Sequence, residues 1–340
     1  MRDQVLAQLR SIHTGIERRI WKSTDSISGF KIPAVGLGTW QGQLGTSEGD
    51  ALKASIIHAI QHGYRLIDTA QYYGIEPIVG EAIRDCGVPR SEIFLVTKIW
   101  GHKFHDPAAA LKLSLEELNI GYIDLFLMHW PNTMTPEETP QPYPGQPPYW
   151  DVWKEMEKLV GNKCRSIGVS NFTQKTLSKL LEGAKIVPAA NEIELHALNP
   201  AHKLVPYCQD KGIHVISWST MGSERLETGK NPILTDKLFV DIAEKHSCSA
   251  GVVSLSWAVQ RGITVIPKSS KNSRIESNIR LIKLDDGEME KINHATDTID
   301  KIRLSEIIPG LKYELDGKDT ILGWSKADFG WEDEDGNWLD

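Results

Sequence analysis

Short apolar runs, each closing on a polar or ionisable residue, recur along the chain, and helical patterns fill the intervals. Arg65-Leu66-Ile67-Asp68-Thr69-Ala70-Gln71-Tyr72-Tyr73 has this form. So do Phe94-Leu95-Val96-Thr97-Lys98 and Ile123-Asp124-Leu125-Phe126-Leu127-Met128-His129. Runs this short, apolar on both faces, suit strands of a parallel sheet covered by helices. Strands are expected at Ala34–Trp40, Leu66–Ala70, Phe94–Trp100, Asp124–Trp130, Cys164–Ser170, Ala189–Leu195, His214–Thr220 and Ile263–Ser269. Helices are expected at Asp50–His62, Pro107–Leu118, Tyr149–Val160, Gln174–Leu181 and Lys203–Lys211, with Asp236–Lys245 and Ala250–Gln260 as a pair before the last strand. Gly63, Gly87, Gly183 and Gly212 mark helix stops.

Eight such units predict an α/β chain folded as a (β/α)8 TIM barrel, with long loops on the face where the strands end. A doubly wound sheet is the competitor, and it wants a glycine-rich phosphate turn after its first strand. The nearest stretch, Gly36-Leu37-Gly38-Thr39-Trp40-Gln41-Gly42, has its third glycine one position late and a bulky Trp in the turn. A barrel takes roughly 250 residues. The expected division is therefore an N-terminal extension, residues 1–29, and a single barrel with its tail, residues 30–340. Leu6, Leu9, Ile12 and Ile16 in the extension have roughly helical spacing. Asp3 and Glu17 argue against an acid-poor targeting presequence, so an added helix is expected. Three long loops, Pro131–Pro148, Met221–Pro232 and Lys301–Asp340, should rim the barrel mouth. The acidic run Trp331 to Asp335 sits among aromatics, which favours a packed tail.

A net charge of −7 offers no general attraction to nucleic acid or anionic membrane. No apolar run approaches the roughly 18 residues of a membrane span. Cys86, Cys164, Cys208 and Cys248 are scattered and form no metal or redox pair, which suits a reducing compartment. A cytoplasmic protein, monomer or homodimer, with a small-molecule partner is expected. His58 and His62 are spaced i,i+4 on one helix, but lack a third ligand in sequence. They read as a helix face, and no metal is expected.

The strand ends carry the chemistry. Strand C-termini of a TIM barrel converge on one mouth, where catalysis sits. Asp68, Tyr73, Lys98 and His129 all fall there. Any one alone reads best as a buried structural group. Together, an acid, a phenol, an ammonium and an imidazole can protonate a carbonyl oxygen.

The chain resembles the aldo-keto reductases through six ordered stretches. They are Gly36-Leu37-Gly38-Thr39-Trp40, Asp68-Thr69-Ala70 with Tyr73-Gly74, Thr97-Lys98, His129-Trp130-Pro131, Gly168-Val169-Ser170-Asn171-Phe172 and Ile266-Pro267-Lys268-Ser269. The sugar- and aldehyde-reducing branch is the nearest in look. The resemblance implies a nicotinamide dinucleotide cofactor, NADPH before NADH, and reduction of an aldehyde, whether aldose, uronate or another small carbonyl. It makes Tyr73 the proton donor and gives His129 the task of orienting the carbonyl. Lys98, held by Asp68, would lower the pKa of the phenol. Steroid double-bond reductases that resemble this group carry Glu at the His129 position, so His favours carbonyl reduction.

The resemblance also implies the cofactor contacts. Ser170 and Asn171 match the pair that bonds the carboxamide, and Trp218 the aromatic that stacks on the ring. Lys268, Ser269, Ser270, Arg274 and Asn278 match the adenosine end, where Lys268 and Arg274 are placed for a 2′-phosphate. Thr39, Trp40, Asp68, Ser219 and Met221 complete the set. One position departs. Where the family commonly has Asn-Gln-x-Glu, this chain has Asn191-Glu192-Ile193-Glu194. An ionised Glu192 can only accept hydrogen bonds and would favour the oxidised, cationic ring. Trp40, Tyr72, Trp100 and Trp130 are expected to wall the substrate pocket, with Lys103 and His105 as possible carboxylate attractors. Two other classes remain: a non-catalytic NADP(H)-binding regulatory protein, and a metal-dependent barrel isomerase, for which a ligand set is missing.

Overall fold

The computed structural model describes residues 32–40, 43–225, 228–333 and 335–339. The helix expected in the extension 1–29 lies outside the described residues. Eight parallel strands pair in chain order: β1 (Leu37–Gly38), β2 (Leu66–Asp68), β3 (Phe94–Ile99), β4 (Leu125–Met128), β5 (Ile167–Ser170), β6 (Ala190–Glu194), β7 (His214–Trp218) and β8 (Thr264–Val265). The ring closes between the last strand and the first. Val35 bridges Val265, Gly36 N–H donates to Val265 O at 2.8 Å, and Val265 N–H donates to Ala34 O at 3.0 Å. A closed ring of parallel strands with a helical sheath is the expected barrel.

The strands are shorter than their apolar runs, for local reasons. The run Ile263–Ser269 pairs only over Thr264–Val265, because Pro267 has no N–H to continue a ladder. The run Leu66–Ala70 stops at Asp68, since the chain then winds into a 3-10 turn, Gln71–Tyr73. At Gly38, a Cβ would lie 2.7 Å from the carbonyl oxygen of Ile266. Only glycine allows that approach of the two segments beside the mouth.

The helices Pro107–Leu118, Gln174–Leu181 and Ala250–Gln260 occupy the expected spans. Asp106, Thr173 and Ser249 cap their N-termini through side-chain oxygens. Asp50–His62 extends back to Ser47–Gln61, because Thr46 caps the helix earlier than its apolar pattern begins. Helices not among those expected include Glu76–Asp85, Asn272–Asn278 and Asp286–Asn293. The long tail is also more ordered than a loop. It forms a hairpin, β9 (Lys312–Leu315) with β10 (Lys318–Ile321), and a short helix, Lys326–Phe329. Its aromatics pack as expected: Phe329 stacks on Trp331 at 4.4 Å, and both meet Trp130 edge-on.

Side chains alternate in and out along each strand. Leu66, Val96, Leu125, Leu127, Ala190, Ile216 and Ile266 fill the barrel interior. Continuing the same faces two residues further puts Asp68 after Leu66, Lys98 after Val96, His129 after Leu127 and Glu192 after Ala190. The lumen is therefore apolar below and ionisable at the mouth. Among the described residues, no helix is long and apolar enough to cross a membrane.

Candidate active site

Lys98 is the centre of the mouth and has no solvent-exposed surface. Its Nζ donates to Asp68 Oδ2 at 2.6 Å and to the Thr69 carbonyl at 3.0 Å, and lies 3.2 Å from Glu192 Oε1. Burial works against the ammonium charge. Asp68, then Glu192 and Tyr73, outweigh it and hold the lysine above its ordinary range. The Tyr73 ring lies 5.5 Å from that ammonium. Lys98, Asp68 and Tyr73 thus meet, and Glu192 joins them.

One ammonium faces two carboxyls, and both are shifted. Burial raises Asp68 from its usual range, while Lys98 pulls it back. Burial, and after it the charge of Asp68, pushes Glu192 well above the usual carboxylate range. This direction works against the anion expected at Glu192. Lys98 balances one negative charge, and a second in the same dry site is repelled by the first, so the pair is held toward its protonated form, Glu192 the more strongly. A protonated carboxyl both donates and accepts, as a Gln amide does. In that protonated form the departure from Gln is chemically small.

Tyr73 also differs from expectation. Lys98 does act to lower the phenol, but burial comes first and Asp68 and Glu192 add to it, so the net direction is upward. The hydroxyl therefore holds its proton throughout the neutral range. His129 is pushed well below its usual value by burial and then by Lys98, which makes it a neutral imidazole. Its ring meets Trp100 edge-on at 5.0 Å and Tyr73 at 5.7 Å.

A cavity of about 440 Å³ opens above these groups. Trp40, Tyr72, Trp100 and Trp130 line it, as expected, with Tyr72 stacked on Trp100 at 4.1 Å. Ile308 and Leu311 of the tail also line it, and were not foreseen. Their signal was present as an apolar island, Ile307-Ile308-Pro309-Gly310-Leu311, within a polar tail. Lys103 and His105 do not line the cavity, and His105 Nε2 is engaged with the Met134 carbonyl at 3.0 Å. Among the described lining residues, Lys268 is the only cation.

The expected cofactor residues fall into two groups. Thr39, Ser170, Asn171, Trp218, Ser219, Met221 and Lys268 line the cavity beside Asp68 and Glu192. Ser269, Ser270, Arg274 and Asn278 stand off it, on the segment from β8 into the helix Asn272–Asn278. Arg274 is exposed there and Asn278 buried. The Asn171 amide is largely committed to the protein: Nδ2 donates to His129 O and Ser170 Oγ, and Oδ1 accepts from Trp218 Nε1 at 3.0 Å. That last bond fixes the Trp218 ring at the cavity wall. Two buried polar atoms at the mouth, His129 Nδ1 and Glu192 Oε2, have no partner among the described residues. Unpartnered polar atoms, a held indole and a half-buried cation fit a polar ring carrying a phosphorylated arm.

Comparison with known proteins agrees. The model of the Aldo/keto reductase family matches residues 34–297. A D-galacturonate reductase of Hypocrea jecorina is 41% identical over 280 residues, covering 78% of this chain and 87% of its own length. A glycerol 2-dehydrogenase (NADP(+)) of Saccharomyces cerevisiae is 39% identical, covering 78% and 88%. The solved Bombyx mori aldo-keto reductase in complex with NADP superposes with a TM-score of 0.71 at 32% identity, over 82% of this chain and 98% of that one. The chain belongs to the aldo/keto reductase family and is an NAD(P)H-dependent oxidoreductase acting on carbonyl groups.

Proposed function

We propose that this enzyme reduces small uncharged aldehydes to alcohols with NADPH, with Tyr73 as the proton donor. The observation that carries the substrate class is the aromatic end of the cavity, walled by Trp40, Tyr72, Trp100, Trp130, Ile308 and Leu311, with Lys268 the only cation among the described lining residues. Lys268 belongs to the cofactor side of this reading. A substrate carboxylate entering the aromatic end would lose its water and gain no partner, which is costly. Aromatic faces suit the C–H edges of a sugar or the plane of an aromatic aldehyde.

When bound, the dinucleotide supplies the hydride. Negative charge then develops on the carbonyl oxygen. The neutral His129 imidazole donates a hydrogen bond that orients this oxygen. The Tyr73 hydroxyl proton passes to it, giving the alcohol and leaving a phenolate. Lys98, held charged by Asp68, stabilises that phenolate, and so acts most strongly in the transition state. Glu192, protonated, offers a donor and an acceptor where relatives commonly place an amide. Trp218 gives a flat face to the nicotinamide, and Lys268 with Arg274 supports a preference for the 2′-phosphate.

A panel of NADPH oxidation rates tests the substrate class. Glyceraldehyde, pentoses and aromatic aldehydes should exceed hexuronates in kcat/KM by tenfold or more. The relative named D-galacturonate reductase makes hexuronates the competitor to include. A hexuronate matching the best neutral aldehyde would overturn the reading.

A further inference from the structure

The fold supplies the third ligand that the sequence withholds from His58 and His62. His58 lies in the last turn of the helix Ser47–Gln61, and His62 is its C-cap. Across from them stands Glu276, on the helix Asn272–Asn278. His58 Nε2 lies 3.1 Å from Glu276 Oε1, and His62 Nε2 lies 3.8 Å from the same oxygen. The two imidazoles stack with centroids 3.9 Å apart. One ligand atom from each residue lies within 4.8 Å of the others. Three ligands on a zinc ion at about 2.0–2.2 Å would stand about 3.3 Å apart, so small side-chain rotations close the set.

Tautomer logic points the same way. His62 Nδ1 lies 2.7 Å from the His58 carbonyl. A carbonyl only accepts, so Nδ1 carries the hydrogen, and the Nε2 lone pair of neutral His62 is turned toward Glu276. A metal-binding histidine is oriented in the same manner, with its other ring N–H given to a carbonyl or carboxylate. His58 can place one hydrogen between its Nε2 and the carboxylate. In that tautomer the His62 lone pair faces the carboxylate across 3.8 Å. Two imidazole nitrogens and one carboxylate oxygen, a fifth to two-fifths exposed, make a borderline ligand set with room for water.

We propose that His58, His62 and Glu276 bind a divalent transition metal, zinc being the reference case, and that the ion ties the helix Asn272–Asn278 to the helix Ser47–Gln61. The helix Asn272–Asn278 carries Arg274 and Asn278, so the tie tightens the hold on the adenosine end of NADP+. This part rests on the cofactor reading above. The tie reinforces an existing one, the Tyr64 hydroxyl donating to the Ile275 carbonyl at 2.9 Å.

Calorimetric titration of the full-length, NADP+-saturated protein with zinc tests the site. One equivalent should bind, and His62→Ala and Glu276→Gln should each weaken it at least tenfold. His294→Ala removes an exposed histidine that has its own carboxylate partners, Glu290 and Asp297, and should leave binding unchanged. The same zinc affinity in wild type, His62→Ala and Glu276→Gln overturns the site, as does loss in His294→Ala alone. The NADP+ dissociation constant, from quenching of tryptophan fluorescence, tests the tie. Zinc should lower it severalfold in wild type and leave it unmoved in the two variants. Zinc bound at the site with unchanged NADP+ affinity overturns the coupling, while failure to bind NADP+ at all would instead sink the cofactor reading.

Discussion

The barrel buries charge at both ends, and the two ends are balanced differently. At the base, just before β4, Asp124 accepts from Arg90 Nη2 at 2.7 Å, from Arg165 Nη1 at 3.0 Å and from the Leu95 N–H at 3.0 Å. Both guanidiniums also lie over the Tyr122 ring, at 3.9 and 3.6 Å. At the mouth the ratio is inverted, with one ammonium between two carboxyls and Glu192 Oε2 without a partner among the described residues. The base has a carboxylate saturated by cations that also reach water. The mouth is dry and short of one positive charge, so protons there sit at shifted positions. Saturated charge fastens strands, whereas unbalanced charge holds a proton for chemistry.

The sharpest way to break this comparison is to remove the mouth's mobile proton. Tyr73→Phe keeps the ring against Trp40 and His129 and deletes the hydroxyl. General-acid contributions are typically 10²–10⁴-fold, and kcat for aldehyde reduction should fall by about that factor. NADPH affinity and thermal unfolding should stay near wild type. A variant that instead loses dinucleotide binding or melts early would make the phenol a structural group.

The base should answer in the opposite currency. Asp124→Asn leaves two guanidiniums facing a neutral amide. Losing one partner of a fully buried pair costs about 3–5 kcal/mol, and both arginines here reach solvent, so about 2–3 kcal/mol of stability should go. Steady-state kcat at a temperature where both proteins are folded should be unchanged. Denaturant unfolding and kinetics on the same preparation check both halves. A fall in kcat without loss of stability would erase the distinction between the two ends.

The two ends differed in what the sequence revealed. Apolar runs closing on Asp68, Lys98 and His129 revealed the mouth, because strand alternation carries the inner face straight from Leu66, Val96 and Leu127 to those residues. The base was not legible. Asp124 meets Arg90 and Arg165 only once three strands are in register, and no local pattern encodes that. Glu192 stood out as a departure from relatives. Its charge state could not be read, because it depends on Asp68 and Lys98 arriving from two other strands. The tail's role failed for a similar reason: Asn132 Nδ2 donates to the Ile321 and Leu322 carbonyls, a link across 189 and 190 residues. The helix at Asn272–Asn278, missed for its brevity, is the element that brings Glu276 to His58.

A smaller effect is expected where the mouth's cofactor side reaches water. Lys268 is the lining cation and Arg274 an exposed one. Charge-assisted contacts are worth roughly 1.5–3 kcal/mol each. Lys268→Ala with Arg274→Ala should therefore shrink the NADPH-over-NADH preference in kcat/KM by about tenfold or more, with NADH values little changed. A preference that survives the double change would remove both residues from phosphate recognition.

The finest test concerns the proton on Glu192. Burial and Asp68 raise this carboxyl well above its ordinary value of 4.5. In the unfolded chain the group releases its proton near that ordinary value. Above it, the folded protein keeps a proton that the unfolded chain has lost. Stability then falls as pH rises, since the slope follows the protons bound by the unfolded state minus those bound by the native state. The decline begins near pH 4.5 and ends only once pH has passed the raised native value. Glu192→Gln has no proton to keep, so that part of the slope disappears. The variant should gain on wild type steadily as pH climbs from 4.5 through neutrality, in melting temperature or in denaturant midpoint. Where the carboxyl keeps its proton the amide replaces a neutral group, so kcat and the ratio of NADP+ to NADPH affinity should differ little between the two proteins. Parallel stability curves, together with a markedly altered affinity ratio, would mean that Glu192 is an anion after all, and that the mouth is balanced by some group other than its own proton.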